Sequence, residues 1–166
     1  MKKISAGIII QNQHDEFLLG HSTGNHFFDI FKGGTEANET ALDTALRECQ
    51  EESGLILEPC NIIDLGIFSY NKEKDLHLFL CKVNKQSIDM TTLVCTTFVQ
   101  QPTYSFPEMD RFAWFSYDKL LEYTATSMNK IFKKLAQENL INVKNLPDNY
   151  LDIPSSHQKI KMKGQQ

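Results

Sequence analysis

The sequence predicts a mixed α/β sandwich, with helices covering both faces of a mixed β-sheet. Three observations predict it. Strand-like apolar runs stand on both sides of one central helical segment, and an amphipathic helix follows near the end of the chain. The 166 residues, 41% hydrophobic and 23% charged, suit one globular core.

The elements follow in order. "ISAGIII" and "EFLLG" are aliphatic and separated by the polar turn "QNQHD", so they read as two paired strands. "HSTGN" is a loop, and "HFFDIF" is a short apolar-aromatic run leading to Gly33 and Gly34. From about Glu39 the apolar positions Leu42, Ala45, Leu46 and Cys49 keep helical spacing, with Asn38 as the expected N-cap and Gly54 as the stop. "NIIDLGIFSY" and "DLHLFLCKV" read as strands joined by the charged turn "NKEK". "TTLVCTTFV" is a further β-branched run and "RFAWF" another short strand. Ser116 can cap a helix through "YDKLLEY", and "SMNKIFKKLAQENL" is amphipathic at helical period. Residues 1–140 form the expected domain. The remainder, 141–166, carries two prolines, ends polar and basic, and reads as an arm or tail.

Composition narrows the function. A net charge of −4 gives no general pull toward nucleic acid, so an RNA contact would need a local basic patch. Only the tail "HQKIKMKG" offers one. The four cysteines, Cys49, Cys60, Cys81 and Cys95, lack a C-x-x-C pair or zinc spacing and read as buried thiols of a reducing compartment. "MKKISAGIII" has too short an apolar run for a leader and no small-residue cleavage site, and no stretch is long enough to span a bilayer. A soluble cytoplasmic protein without a membrane partner is the expectation; oligomeric state is not legible.

The stretch "GGTEANETALDTALRECQEESGL" raises a physical question. Glu48, Glu51 and Glu52 are related by i+3 and i+4, so they share one side of the helix near its C-terminus, where the dipole opposes negative charge. Arg47, four residues before Glu51, relieves part of the repulsion. A solvated acidic face is one reading of such a run. A site for hard divalent cations is the other, since Mg²⁺ or Mn²⁺ takes carboxylate oxygens together with substrate phosphates. Gly33-Gly34 favours the second, because a glycine turn lets carbonyls or phosphates approach closely.

The spacing goes further. Gly33, five residues, Glu39, seven residues, Arg47-Glu48, two residues, Glu51-Glu52, one residue, Gly54-Leu55 resembles the complete Nudix box, with Cys49 where an aliphatic residue is usual. "FDIFKGGTEANE" is similar to the "W-D-I-P-K-G-G-x-x-x-G-E" lead-in of one Nudix subset, with Phe31 for the proline and Asn38 for a glycine. "FPEMDRFAWFSYDKL" resembles a "P-E-V-D-R-A-A-W-F" segment of bacterial members. The resemblance implies a Nudix α/β/α sandwich and hydrolysis of a nucleoside diphosphate linked to another group, with Mg²⁺ or Mn²⁺ as cofactor. It implies Glu48, Glu51 and Glu52 as metal ligands, the Gly33 carbonyl as a further one, Arg47 as their orienting cation and Glu39 as support for the box loop. Glu52 and Glu108 are the candidates for the base, with Asp110 as rival to Glu108.

Further candidates follow from position. Lys32 precedes the box where related sequences place a lysine near substrate phosphates. Tyr70 lies near where dinucleoside-polyphosphate hydrolases of the family carry a tyrosine. Phe28, with Phe27, Phe106 and Trp114, can stack on a base, although Trp114 suits the core. His21, His26 and His77 show no ligand pattern and read as loop or surface. The Lys-Gly lead-in points to a dinucleoside polyphosphate, with a triphosphate-bearing nucleotide or an RNA 5′ end next. The alternative of another class is a Nudix fold that binds a nucleotide without hydrolysing it; such folds usually lose box glutamates, and this chain keeps them.

Overall fold

The computed structural model describes residues 1–144. β1 (Lys3–Asn12) is the hub of a seven-stranded mixed sheet. Along its whole length it pairs in parallel with β6 (Lys74–Val83), whose outer neighbour is the antiparallel β5 (Ile62–Ser69). On its other edge β1 pairs first with β4 (Phe31–Gly34) and then with β2 (Phe17–Ser22). β2 in turn pairs with β3 (Phe28–Asp29) and β9 (Met109–Phe115). β1 and β2 therefore diverge, and the 28–34 segment fills the fork between them.

Side chains alternate across this sheet and build a core on each face. Ile9, Leu76, Leu78 and Leu80 meet α2 (Tyr117–Tyr123) and α3 (Thr126–Gln137) through Leu120, Phe132 and Leu135. Ala6, Ile8, Ile10, Phe31 and Cys81 face the opposite way and meet α1 (Ala41–Ser53) through Ala45 and Cys49. Strands buried on both faces read as continuous aliphatic runs, and "GIII" is such a run. The sandwich expected from sequence is the observed fold.

Four details differ from expectation. The N-cap of α1 is Thr40, whose hydroxyl accepts from the Asp43 amide while the Asp43 carboxylate accepts from the Thr40 amide. Asn38 instead adopts φ +66, the left-handed conformation a short polar side chain tolerates. "TTLVC" is not a strand: it forms one 3₁₀ turn and a loop, and only β7 (Phe98–Gln100) follows, paired with β8 (Ser105–Pro107) in a separate two-stranded ribbon. Its residues bond to the end of α1 rather than to a sheet edge: Val94 and Thr96 donate backbone N–H groups to the Ser53 and Glu51 carbonyls. Cys60 is exposed, while the other three cysteines are buried. Ser116 stands at the N-cap of α2 without a side-chain bond to it.

Ile141 is buried and the Asn142 carbonyl accepts from Gln11, so the chain stays docked past residue 140. The basic cluster "HQKIKMKG" lies outside the described residues. No helix among the described residues is long and apolar enough to cross a membrane.

Candidate active site

The site is built where Gly33 and Gly34, which end strand β4 rather than forming the expected glycine turn, pass beside the C-terminal half of α1. Arg47 is its organiser. Its guanidinium donates to both Glu39 oxygens (2.6 and 3.1 Å), to Glu48 Oε1 (3.0 Å), to Glu51 Oε2 (3.1 Å) and to the Gly34 carbonyl (2.9 Å). The planar fork allows this simultaneous engagement, which a lysine could not reproduce. The Arg47 bond, followed by the bond from the Glu36 amide, holds Glu39 down to about 2. Glu39 also accepts from the Thr44 hydroxyl, so it ties the loop 36–39 to the helix.

The three box glutamates are not equivalent. Glu51 is the most open, with about a third of its side chain exposed. Glu48 is nearly covered and lies against Gly33, where an added methyl group would overlap its carboxylate. Burial raises its pKa, opposed by Arg47 and reinforced by Glu51 and Glu108. Glu52 is 5% exposed and accepts from the Lys32 backbone amide at 2.9 Å. Burial pushes it up to about 9 against the pull of Lys32, with Glu48 and Glu108 adding repulsion.

Across from Glu52 stands Lys32. Its ammonium donates to Asp29 at 2.6 Å and sits 5.6 Å from the Tyr70 ring centre. Burial alone would lower its pKa, but Asp29, Tyr70 and Glu52 together raise it, so Lys32 is a fixed cation. Asp29 was not legible as a site residue; its signal was the i,i+3 spacing to Lys32 in "FDIFK".

Lys32, Asp29, Glu52 and Glu108 meet in one cleft of about 420 Å³, closed on another side by the turn 22–25 and by Val99 and Phe106 of the ribbon. Glu108 is carried there by backbone bonds on both sides: its amide donates to the Thr97 carbonyl, and its carbonyl accepts from the Thr23 amide. Thus Glu108, 56 residues beyond Glu52, reaches the same space. A larger hollow of about 660 Å³, lined by Lys2, Lys3, Lys72 and Lys74, lies at the N-terminal end of β1 and β6.

Other expectations land elsewhere. Asp110 is not among the residues lining the cleft and instead hydrogen-bonds to His21 Nδ1 at 2.6 Å. His21 is therefore a buried strand residue rather than a loop or surface one; its other ring nitrogen faces the Asn25 carbonyl at 2.9 Å. Phe28 packs edge-on against His21, Phe115 and Tyr123, with the Arg111 guanidinium 5.8 Å from its ring centre, so packing accounts for its ring. Tyr70 supports Lys32, and neither aromatic is among the residues lining the cleft. Trp114 packs against the α1-side core. His77 pairs with Asp64 and stacks on Phe79.

The donor set suits a hard cation. Among the described residues no three histidine, cysteine or acidic side chains stand close enough to cage an ion, because Arg47 holds Glu48 and Glu51 while Glu52 turns to the Lys32 amide. Mg²⁺ does not need a cage: it typically takes one or two carboxylates and completes its shell with water and phosphate. Burial first, and neighbouring carboxylates second, disfavour the charged forms of Glu48 and Glu52, and a cation beside them would offset both.

Comparisons with known proteins agree with this fold. A family model described as the NUDIX domain matches residues 1–135. A 17.7 kDa protein from the e-segB intergenic region of Enterobacteria phage T4 is 36% identical over 123 residues, covering 68% of this chain and 82% of that one. An RNA pyrophosphohydrolase of Erwinia tasmaniensis is 26% identical over 141 residues, covering 81% of each chain. Among solved structures, an Ap4A hydrolase binary complex from C. elegans superposes with a TM-score of 0.56 at 18% identity, over 80% of this chain and 95% of that one. The NUDIX domain of Shewanella oneidensis NrtR with ADP ribose gives 0.61 at 13% identity, over 84% and 89%.

Proposed function

The chain belongs to the NUDIX domain family and is a Nudix hydrolase, and we propose that it cleaves the phosphoanhydride bridge of a dinucleoside polyphosphate or a nucleoside triphosphate. One observation carries the reading: a buried Glu52 and a fixed Lys32 cation share a cleft with Glu108, beside a Glu48–Glu51 pair that Arg47 holds in place. Acid on one wall and a cation on the other suit a ligand whose phosphates are partly neutralised by bound metal.

In this reading Glu48, Glu51 and Glu52, with the Gly33 carbonyl, would hold Mg²⁺ or Mn²⁺. Such an ion, when bound, neutralises phosphate charge and makes water a better nucleophile. Arg47 keeps Glu48 and Glu51 oriented, and Glu39 keeps Arg47 oriented. Lys32, pinned by Asp29, binds a phosphate oxygen. Glu108 takes the proton from the attacking water, with Glu52 as the alternative acceptor.

A second reading, an RNA 5′ end, is favoured by the likeness to RNA pyrophosphohydrolases and by the lysines around the hollow at the start of β1 and β6. It would extend the polyanion track beyond the cleft. The test is a chromatographic panel of dinucleoside polyphosphates, NTPs, nucleoside-diphosphate sugars and 5′-triphosphorylated RNA, each with Mg²⁺ and with Mn²⁺. Preferred turnover of a small nucleotide, with products that identify the broken anhydride, supports the first reading. Preferred turnover of the RNA replaces it with the second, and no metal-dependent turnover overturns both.

A further inference from the structure

β2 and β9 lose their regular register at one place. Gly20 pairs with Phe112 and Ser22 with Met109, so the single residue His21 stands opposite two, Asp110 and Arg111. That is a β-bulge in β9, which bends a strand and re-aims the residues beyond it. The chain on the far side of the bulge is Met109 and then Glu108, and Glu108 lines the cleft with Lys32 and Glu52.

His21 holds the bulge from within. Its buried ring packs edge-on against Phe28, with ring centres 5.1 Å apart, which fixes the plane of the imidazole. Nδ1 lies 2.6 Å from Asp110 Oδ1, and Nε2 lies 2.9 Å from the Asn25 carbonyl. A carbonyl can only accept, so Nε2 carries a proton, and a further proton lies between Nδ1 and the carboxylate. The turn 22–25, Ser-Thr-Gly-Asn, has no apolar side chain to anchor it, so hydrogen bonds must hold it. The Asn25 amide donates to the Ser22 carbonyl, and the Thr23 amide donates to the Glu108 carbonyl. These bonds close a ring. It runs from His21 to Asp110, along β9 to Glu108, across to Thr23, and back along the chain to His21.

We infer that His21 is a positioning residue: with Asp110 it clamps the bulge to the turn 22–25, and so sets where Glu108 stands in the cleft. The consequence for rate rests on the hydrolase reading above, in which Glu108 takes the proton from water; the clamp itself does not. A proton acceptor must be held closely, because a misplacement of about 1 Å can cost on the order of 100-fold in rate. The same geometry gives Asp110 a different part from that of a rival base. Its carboxylate serves the imidazole, and it is absent from the cleft lining.

The experiment compares His21→Gln, Asp110→Ala and Asp110→Asn in the full chain. Gln keeps a donor near the Asn25 carbonyl and has nothing in place of Nδ1. Asp110 is about a third exposed, so its variants fold even where a change at buried His21 does not. Asn at 110 offers both an oxygen and an NH₂, which serve the ring in either protonation state, whereas a base would be lost by the same change.

Amide hydrogen exchange followed by NMR reads the clamp without turnover. His21→Gln and Asp110→Ala should speed exchange at Thr23 and Asn25 at least about 10-fold and leave the β1–β6 ladder unchanged. With the preferred substrate and Mg²⁺, kcat should fall roughly 10- to 100-fold in both, with KM within about threefold. Asp110→Asn should stay within about threefold of native turnover, because it keeps the clamp. In a Glu108→Gln background the same two changes should cost less than about twofold more, since they act through Glu108. Unchanged exchange at Thr23, an Asp110→Asn as damaging as Asp110→Ala, or losses that multiply in the Glu108→Gln background would overturn the inference. Native turnover by Glu108→Gln alone would instead overturn the role given to Glu108 in the preceding section, and exchange at Thr23 would still decide the clamp.

Discussion

Replacing Glu52 by Gln should make the metal-free protein more stable, not less. The carboxyl is 5% exposed and burial holds it at about 9, against an ordinary value of 4.5. A folded-state pKa above the unfolded one means that folding favours the protonated form. Stability is then greatest below pH 4.5 and falls as pH rises through 9. At pH 7 the unfavourable span is about 2.5 pH units at ~1.4 kcal/mol each, or about 3.5 kcal/mol. Gln keeps the shape and, through its carbonyl, the acceptor for the Lys32 amide, while removing that term. Thermal unfolding in EDTA should show Glu52→Gln melting about 10 °C higher at pH 7. The gain should grow at pH 8 and almost vanish at pH 4.5. Adding Mg²⁺ should narrow or reverse it, because binding to the native state stabilises only the protein that retains the ligand. A variant no more stable than the native protein at pH 8, or one with an equal gain at pH 4.5, would refute the reasoning.

Three further outcomes follow from the same geometry. Arg47→Lys and Arg47→Ala should each lose about 2 kcal/mol or more in urea unfolding, because Glu39, Glu48, Glu51 and the Gly34 carbonyl lose their shared donor; a silent Arg47→Lys would show that the fork is dispensable. Gly33→Ala should leave the fold intact but displace Glu48 and weaken Mn²⁺ binding at least about 10-fold; unaltered Mn²⁺ titration would remove Glu48 from the metal site. Asn38→Gly should stabilise by about 0.5 kcal/mol and Asn38→Val destabilise by more than about 1 kcal/mol, both read by Tm, because only the left-handed φ of +66 separates them.

The legible parts of the chain were those fixed by local pattern. The strand runs "GIII" and "DLHLFLCKV" and the helix from "ALDTALRE" were visible because burial on one or two faces imposes a period. The box was visible because its residues sit within one short stretch of chain, the end of β4, the loop after it and α1. The fork between β1 and β2 was not, since pairing of "FKGG" with Ser5–Ile8 and of "FD" with β2 is a long-range choice that no local period records. Asn38 was misplaced as a cap because Asn serves both at N-caps and in left-handed turns, and the Thr40–Asp43 box stood two residues on. "TTLVCTTFV" misled because β-branched residues favour strands only where an edge is available, and here α1's terminal carbonyls took the backbone bonds instead. His21, Asp29 and Thr23 carried no motif; each acquired its place only when the fork brought β2, β3 and β9 together.

The central claim is that the acidic end of α1 holds a cation for anhydride hydrolysis. Its most direct measurement is Mn²⁺ titration followed by electron paramagnetic resonance, with turnover of the preferred substrate read on the same samples. Native protein should bind Mn²⁺ and gain activity in proportion to occupancy, and Glu52→Gln should lose turnover while remaining folded. Full turnover in EDTA, or full turnover by Glu52→Gln, would contradict it.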